Sequence, residues 1–207
     1  IDEHSSDFYY LEKDDIRSRI KPRDTFSHKG TFGHALLIAG SYGKIGAAVM
    51  SAKSCLRTGV GLLTAYTPHC GINILQTSVP EAMVIPDKKE KYIQTIPPDI
   101  NKYSAIGIGP GIGTEEETRE LISQLFNQYE KTLVLDADAI NIVSSNEYLK
   151  DTIAPQSILT PHVKEFECLV GKKFENSQER LQAACNFSEK HNVYIVLKGA
   201  YTATITP

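Results

Sequence analysis

Short apolar runs alternate with longer amphipathic stretches along most of the chain. The apolar runs predict strands at residues 35–40, 62–66, 104–109, 132–136, 157–160 and 193–199. The amphipathic stretches predict helices near 14–20, after the glycines of 40–46, and at 114–129, 161–170 and 177–191. This alternation is typical of an α/β fold whose mostly parallel central sheet has helices on both faces.

Two features refine the prediction, one at the C-terminal edge of the sheet and one at the starts of two helices. The last two apolar runs, 193–199 and 202–207, lie only a few residues apart, which predicts a hairpin and so an antiparallel C-terminal edge. Thr114 with Glu117 matches a capping box, and Pro161 suits the first turn of a helix.

The chain divides into a polar arm, residues 1–28, and one domain, residues 29–207. It is 41% hydrophobic and 23% charged, with a net charge of −3, so we expect neither a nucleic-acid nor a membrane partner. The cysteines are Cys55, Cys70, Cys168 and Cys185, and none forms a C-x-x-C pair. We interpret them as reduced thiols in a cytoplasmic protein.

Polar residues follow nearly every predicted strand. In a parallel α/β sheet ligands bind beyond the carboxyl ends of the strands, so these residues should share one rim. After the strands come Gly40–Gly46, Gly109–Gly113, Asp136 with Asp138 and Asn141, Thr160 to Glu165, and Lys198 with Gly199. The two carboxylates after one buried strand then face a polar, ligand-filled crevice rather than a dry core.

Neither glycine-rich segment is specific by itself. Residues 40–46 read G-x-x-G-x-x-G, which is neither the dinucleotide fingerprint nor a phosphate-binding P-loop. The segment could hold an anion at a helix start beside Lys44, or its glycines could simply permit a tight turn. His162 and Glu165 likewise have two interpretations. They could be ordinary polar residues at a helix start, or together with Asp136 they could hold Mg²⁺ through water molecules.

The combination of segments resembles one family. "HKGTFGHALLIAGSYGKIGAAVM", "VPEAM", "GIGPGIGT", "LVLDADAIN", "LTPH" and "VLKGAYT" occur in this order and are similar to the ADP/ATP-dependent NAD(P)H-hydrate dehydratases of the ribokinase-like fold. The resemblance covers about residues 29–207. The arm resembles a connector that follows an NAD(P)H-hydrate epimerase domain, so such a domain could precede Ile1.

The resemblance implies a repair reaction and its site. ADP or ATP, with Mg²⁺, would phosphorylate the C6 hydroxyl of hydrated NADH or NADPH, and loss of phosphate would restore NAD(P)H. The implied substrate-binding residues are Tyr42, Ala47, Gly113, Asp136 and His162. The implied nucleotide-binding residues are Asn141, Lys198, Gly199, Ala200, Tyr201 and Thr202. Glu165 would contact Mg²⁺ through water, and the assembly is expected to be a homo-oligomer.

The family's catalytic turn, G-[ST]-G-D, is absent before Pro207. Its Asp is the general base, so no catalytic residue is assigned, and we expect the 207-residue chain to bind weakly and turn nothing over. Alternatives are a ribokinase-fold kinase of a small alcohol such as hydroxymethylpyrimidine, and a non-catalytic nucleotide sensor. An NAD-dependent dehydrogenase is disfavoured by the glycine spacing.

Overall fold

A computed structural model describes residues 8–207. The first seven residues of the predicted arm lie outside the described residues. The arm carries helix α1, Lys13–Arg19, which has no buried residue. The arm is fastened to the domain at Arg23, whose guanidinium donates to the carbonyl of Gly59 at 2.9 Å and stacks on the Phe32 ring.

Within residues 8–207 eight strands form one sheet, seven at predicted apolar runs and one, at 83–86, that the pattern does not predict. They are β1 His34–Ile38, β2 Leu62–Thr67, β3 Met83–Pro86, β4 Ala105–Ile108, β5 Leu133–Leu135, β6 Ile158–Leu159, β7 Tyr194–Leu197 and β8 Ala203–Ile205. Their order across the sheet is β3-β2-β1-β4-β5-β6-β7-β8. All neighbours are parallel except β7 and β8, so the antiparallel C-terminal edge is confirmed.

Within the same described residues, seven further helices connect the strands. They are α2 Ile45–Thr58, α3 Ile72–Ser78, α4 Glu116–Gln128, α5 Asp138–Ser144, α6 Glu147–Asp151, α7 Val163–Val170 and α8 Ser177–His191. Three short 3₁₀ turns complete the connections, at Lys29–Phe32, His69–Gly71 and Ile100–Lys102. None of the helices in residues 8–207 has the length and apolar composition needed to cross a bilayer.

The two faces of the sheet are packed unequally. The larger core lies on one face, where the apolar side of α4 predicted from the sequence is fully buried, from Leu121 to Tyr129. The smaller core lies on the other face, where Ala48 and Ala52 of α2 pack against Leu37 and Leu63. Helices therefore lie on both faces, as predicted.

The smaller core stops near the middle of the sheet. Strand register places Leu37, Gly107, Val134, Ile158 and Tyr194 in one row across neighbouring strands. Leu37 is buried under α2, whereas the other four are only half-buried. We call those four residues the open row, because no described element of the chain completes their burial.

The capping box predicted from Thr114 and Glu117 is wrong. Helix α4 begins at Glu116, one residue later than a Thr114 N-cap requires. Its N-cap is therefore Glu115, whose side chain makes no capping hydrogen bond. Glu115 has an extended backbone, and the Thr114 carbonyl instead accepts a hydrogen bond from the Arg119 guanidinium at 3.0 Å. The backbone therefore stays extended through Glu115 after the second glycine segment, and the helix begins only at Glu116.

Candidate functional site at the carboxyl rim of the sheet

The polar residues predicted to share one rim do so. Strands β5 and β7 are separated only by β6, and the residues that follow them, Asp136 and Lys198, are in contact: the ammonium lies 2.6 Å from Asp136 Oδ1. Thr160, which follows β6, donates its hydroxyl to the same oxygen at 2.7 Å. Three consecutive strands therefore deliver one cation, one hydroxyl and one carboxylate to a single point.

This ion pair is accessible to solvent. The Lys198 side chain is 44% exposed and the Asp136 side chain 32% exposed. An ion pair with this exposure is weak, because water competes with it. A ligand phosphate can therefore draw the ammonium away from Asp136 at small cost.

The second carboxylate, Asp138, connects the two glycine-rich segments. Its Oδ2 accepts the backbone N–H of Gly113 at 2.9 Å and lies 3.6 Å from the ammonium of Lys44. Asp136 and Asp138 are thus each paired with a lysine from a different loop. This pairing explains why a buried strand can end in two carboxylates.

The second glycine segment passes too close to its neighbours for side chains. A Cβ on Gly109, which has φ +133°, would lie 1.8 Å from the Asp136 carbonyl oxygen. A Cβ on Gly111, with φ +68°, would lie 3.0 Å from the Lys44 carbonyl oxygen. Glycine at these positions lets the segment pack against the end of β5 and the start of α2 together.

The backbone is strained between the two carboxylates. Ala137 has φ +48° and ψ −118°, a region that non-glycine residues rarely occupy. The strained residue reverses the chain from β5 into α5. It thereby directs Asp136 toward Lys198 and Asp138 toward the glycine segments.

His162 caps α7 rather than projecting free. Its Nδ1 accepts the N–H groups of Lys164 and Glu165 at 3.1 and 3.3 Å, so the proton of the neutral ring resides on Nε2. Glu165 returns the contact, since its Oε2 accepts the His162 N–H at 2.8 Å and its Oε1 lies 3.3 Å from Nε2. Pro161 precedes this cap and is not part of the first turn, so its predicted helical position is wrong. Its carbonyl accepts the Lys198 N–H at 2.8 Å, next to an isolated parallel bridge between His162 and Lys198.

The remaining predicted site residues lie along the same rim with differing exposure. Tyr42 is 68% exposed and Tyr201 is 83% exposed, whereas Gly113 is buried and Ala47 is half-buried. Residues 198–202 and Asn141 are exposed. Nothing in their contacts assigns them to one ligand or another.

A cleft of about 440 Å³ opens beside the ion pair. Its floor is the sheet at Gly107 and Val134, its wall is the Met50–Ser54 side of α2, and Asp136 and Thr160 lie at its rim. A cavity of about 460 Å³ lies at the opposite edge of the sheet, but its Lys150 is already paired with Glu147 at 2.6 Å. The 440 Å³ cleft is therefore the better candidate for a ligand site.

Two parts of the rim escaped prediction. Thr160 was recognised only as a residue of the rim, and its bond to Asp136 depends on the β5–β6 register. Asp87, after β3, is 1% exposed, and the strand itself was not predicted. The sequence "VIPD" placed an acid after an apolar run, which was the available signal.

Comparison with known proteins identifies relatives over nearly the whole domain. A family model described as NAD(P)H-hydrate dehydratase matches residues 35–207. A bifunctional NAD(P)H-hydrate repair enzyme of Thermofilum pendens is 35% identical over 91% of this chain and 37% of its own length. An ADP-dependent (S)-NAD(P)H-hydrate dehydratase of Streptococcus pneumoniae is 32% identical over 88% of this chain and 62% of its own length. The chain thus spans less than two-thirds of either relative.

Solved structures agree. An ADP/ATP-dependent NAD(P)H-hydrate dehydratase of Bacillus subtilis, crystallised with ATP and Mg²⁺, superposes with a TM-score of 0.79 at 28% identity, covering 98% of this chain and 71% of that one. A ribokinase-like protein of Enterococcus faecalis gives a TM-score of 0.82 at 25% identity, covering 98% and 72%. The predicted ribokinase-like fold is confirmed.

Proposed function

The chain belongs to the NAD(P)H-hydrate dehydratase family, and on that premise we propose that the protein carrying these 207 residues restores NAD(P)H from its C6 hydrate. ADP or ATP serves as the phosphoryl donor. The observation that carries the proposal is the Lys198–Asp136 pair at 2.6 Å, exposed beside a cleft at the carboxyl rim. That arrangement supplies a mobile cation where a nucleotide phosphate can reach it.

The chemistry explains why a nucleotide is used. Hydroxide is a poor leaving group, whereas phosphate is a good one, so transfer of a phosphoryl group to the C6 hydroxyl prepares the ring for elimination. The protein contributes positioning of two anionic ligands and neutralisation of charge on the transferring group.

The rim offers two ends for two ligands. We assign the nucleotide to residues 198–202 with Asn141, where Lys198 meets the phosphates. The hydrate is assigned to the side of the first glycine segment. The residues proposed to line the hydrate are Tyr42, Ala47, Gly113, Asp136 and His162. His162, fixed with its proton on Nε2, has a single ring hydrogen-bond donor, and a ligand there would compete for it with Glu165 Oε1 at 3.3 Å.

Magnesium fits this site only in company with the phosphates. Residues 8–207 contain no group of three or more His, Cys, Asp or Glu side chains placed to hold a metal ion. Asp136 is engaged by Lys198, and Glu165 by His162. Mg²⁺ commonly binds through one or two carboxylates, water and substrate phosphates, so we propose that Glu165 acts through water. When bound, the ion neutralises charge on the phosphate oxygens.

The function is tested on the protein that carries these 207 residues, as distinct from the isolated 207-residue chain, by mixing it with ADP or ATP and hydrated NADH. Recovery of the absorbance of intact NADH supports the proposal. A stable phosphorylated product without that recovery would instead indicate a kinase, and no reaction of either nucleotide with the hydrate would refute the proposal. Hydrated NADPH in a parallel reaction gives the preference between the two dinucleotides.

The compartment, the assembly and a preceding domain remain predictions from the sequence. We propose a cytoplasmic homo-oligomer, in which a preceding epimerase domain would interconvert the two epimers of the hydrate. Sedimentation of the purified protein measures the assembly directly.

A further inference from the structure

A buried carboxylate lies at the end of the rim remote from Lys198. Asp87 follows β3, the edge strand farthest from β8 in the sheet order, and is 1% exposed. Its Oδ1 accepts the N–H of Lys89 at 2.9 Å. Its Oδ2 accepts the Tyr66 hydroxyl at 2.9 Å, the Thr95 hydroxyl at 2.7 Å, and the N–H groups of Gln94 and Thr95 at 3.2 and 2.9 Å.

Four of these five donors belong to one segment and hold both of its ends. Residues 88–95, which we call the rim strap, contain no regular helix or strand. Lys89 binds Asp87 near the start of the strap, and Gln94 and Thr95 bind the same carboxylate at its end. The strap is therefore closed into a loop around a single buried anion.

The closed strap contacts the first glycine segment. Its Lys91 carbonyl accepts the N–H of Tyr42 at 2.7 Å, and the Lys91 ammonium lies 5.4 Å from the centre of the Tyr42 ring. The strap also reaches the start of α4, where the buried Thr118 hydroxyl donates to the Ile93 carbonyl at 2.9 Å. The strap thus connects the edge of the sheet to two elements beside the proposed hydrate site.

We propose that Asp87 is a positioning residue for the hydrate end of the site, acting through the rim strap on Tyr42. The proposal rests on the proposed function for the identity of the ligand. Tyr42 is held by its backbone while its ring is 68% exposed, so the position of the ring depends on where the Lys91 carbonyl is placed. Residues 198–202 lie beyond β7, toward the other end of the rim, and no backbone hydrogen bond among the described residues joins them to the strap.

The carboxylate is required because every neighbour is a donor. Burial alone would raise the pKa of Asp87, but the hydrogen bonds from Lys89, Thr95 and Tyr66 together outweigh it and lower the pKa, so Asp87 is an anion at neutral pH. In Asp87→Asn, the amide NH₂ must face at least one of these donors. The side chain keeps its size, but the strap is released at one end.

The test compares Asp87→Asn and Tyr66→Phe with wild type, each in the protein that carries these 207 residues rather than in the isolated chain. We expect Asp87→Asn to raise KM for the hydrate about tenfold and Tyr66→Phe, which removes one donor, about threefold. The kcat and the affinity for ADP should stay within twofold. Tyr129→Phe is the matched control. Tyr129 is also buried, but its hydroxyl donates to the Tyr103 carbonyl at 3.4 Å, near the amino-terminal ends of the strands and away from the rim.

A purely structural role predicts a different pattern. It would weaken ADP and hydrate in parallel, and that result, or an unchanged hydrate KM in both variants, would overturn the proposal. If Asp87→Asn does not fold, Tyr66→Phe decides the question alone.

Hydrogen exchange provides a readout that does not require turnover. Tyr66→Phe, and Asp87→Asn where it folds, should speed exchange at residues 88–95 and 41–44 but not at 198–202. If wild type does not convert the hydrate, the proposed function fails while this measurement still tests the strap. Unchanged exchange at 41–44 in both variants would show that Asp87 does not position Tyr42.

Discussion

Replacing Lys198 by Met separates the structural and ligand-binding roles of the ion pair with Asp136. Both side chains are substantially exposed, at 44% and 32%, so their attraction is screened by water. Exposed pairs contribute about 0.2–1 kcal/mol, and Lys198→Met should lower the free energy of unfolding by no more than that.

The effect on ADP should be much larger. A hydrogen bond to a charged group contributes about 1.5–3 kcal/mol. Its loss corresponds to a fall in affinity of roughly 10- to 150-fold, since about 1.4 kcal/mol is one factor of ten. Asp136, left without its cation, would also repel the phosphates. The structure therefore predicts a variant that is almost as stable as wild type but binds ADP poorly.

The assay pairs calorimetric titration of ADP with urea unfolding at one ionic strength. Lys131→Met is the matched control: it removes the same charge, but the Lys131 ammonium binds the Asn101 carbonyl at 2.9 Å at the amino edge of the sheet. Equal ADP affinity in the two variants would refute the assignment of Lys198 to the phosphates. A loss of stability above about 3 kcal/mol in Lys198→Met would show instead that the pair behaves as a buried one.

Three further predictions concern the backbone and the response to pH. Gly109→Ala should fail to fold or lose well over 3 kcal/mol in urea unfolding, because its Cβ would overlap the Asp136 carbonyl at 1.8 Å, whereas Gly107→Ala, whose Cβ would meet only Leu37 at 3.8 Å, should retain wild-type stability; similar midpoints for the two would contradict the close approach. Ala137→Gly should raise the free energy of unfolding by about 1 kcal/mol, since relief of the strain at φ +48° exceeds the entropic cost of glycine, and a loss of stability would show that the conformation is unstrained. Burial and the charge of Lys190 lower the pKa of His191 below its ordinary 6.5, so the unfolded chain takes up the proton first and stability should fall as pH drops below about 6.5, by up to about 1.4 kcal/mol per pH unit until the folded pKa is reached. His191→Gln should reduce the difference in urea midpoint between pH 7.5 and 5.5, and an unchanged difference would refute this origin.

The sequence carried most of the architecture because its longer elements are periodic. The apolar face of α4 and the hairpin at 193–207 needed no tertiary information. The helices and strands that escaped prediction are short: β3 has four residues, α3 and α5 have seven each, and α6 has five. Segments this short show neither the 3.6-residue hydrophobic repeat of a helix nor the two-residue repeat of a strand clearly. Their conformation is set by the elements against which they pack.

The candidate site divides in the same way. The convergence of Asp136 and Lys198 followed from a general property of parallel sheets and is confirmed. Asp87 could not be assigned a role from sequence, because its five donors come from Tyr66, twenty-one residues earlier, and from a segment without periodicity. Strand direction alone was enough to predict which residues share the rim, whereas the role of Asp87 depends on tertiary contacts that the sequence does not reveal.

The open row has a practical consequence for handling the 207-residue chain. Gly107, Val134, Ile158 and Tyr194 form a half-buried, mostly apolar strip across four strands. Water contact with such a strip is unfavourable, so a concentrated preparation should scatter light increasingly with protein concentration, and a hydrophobic dye should fluoresce in its presence. Mild detergent in the purification buffer would suppress both signals, but because Gly107 and Val134 are also the floor of the 440 Å³ cleft, it would compete with ligands there.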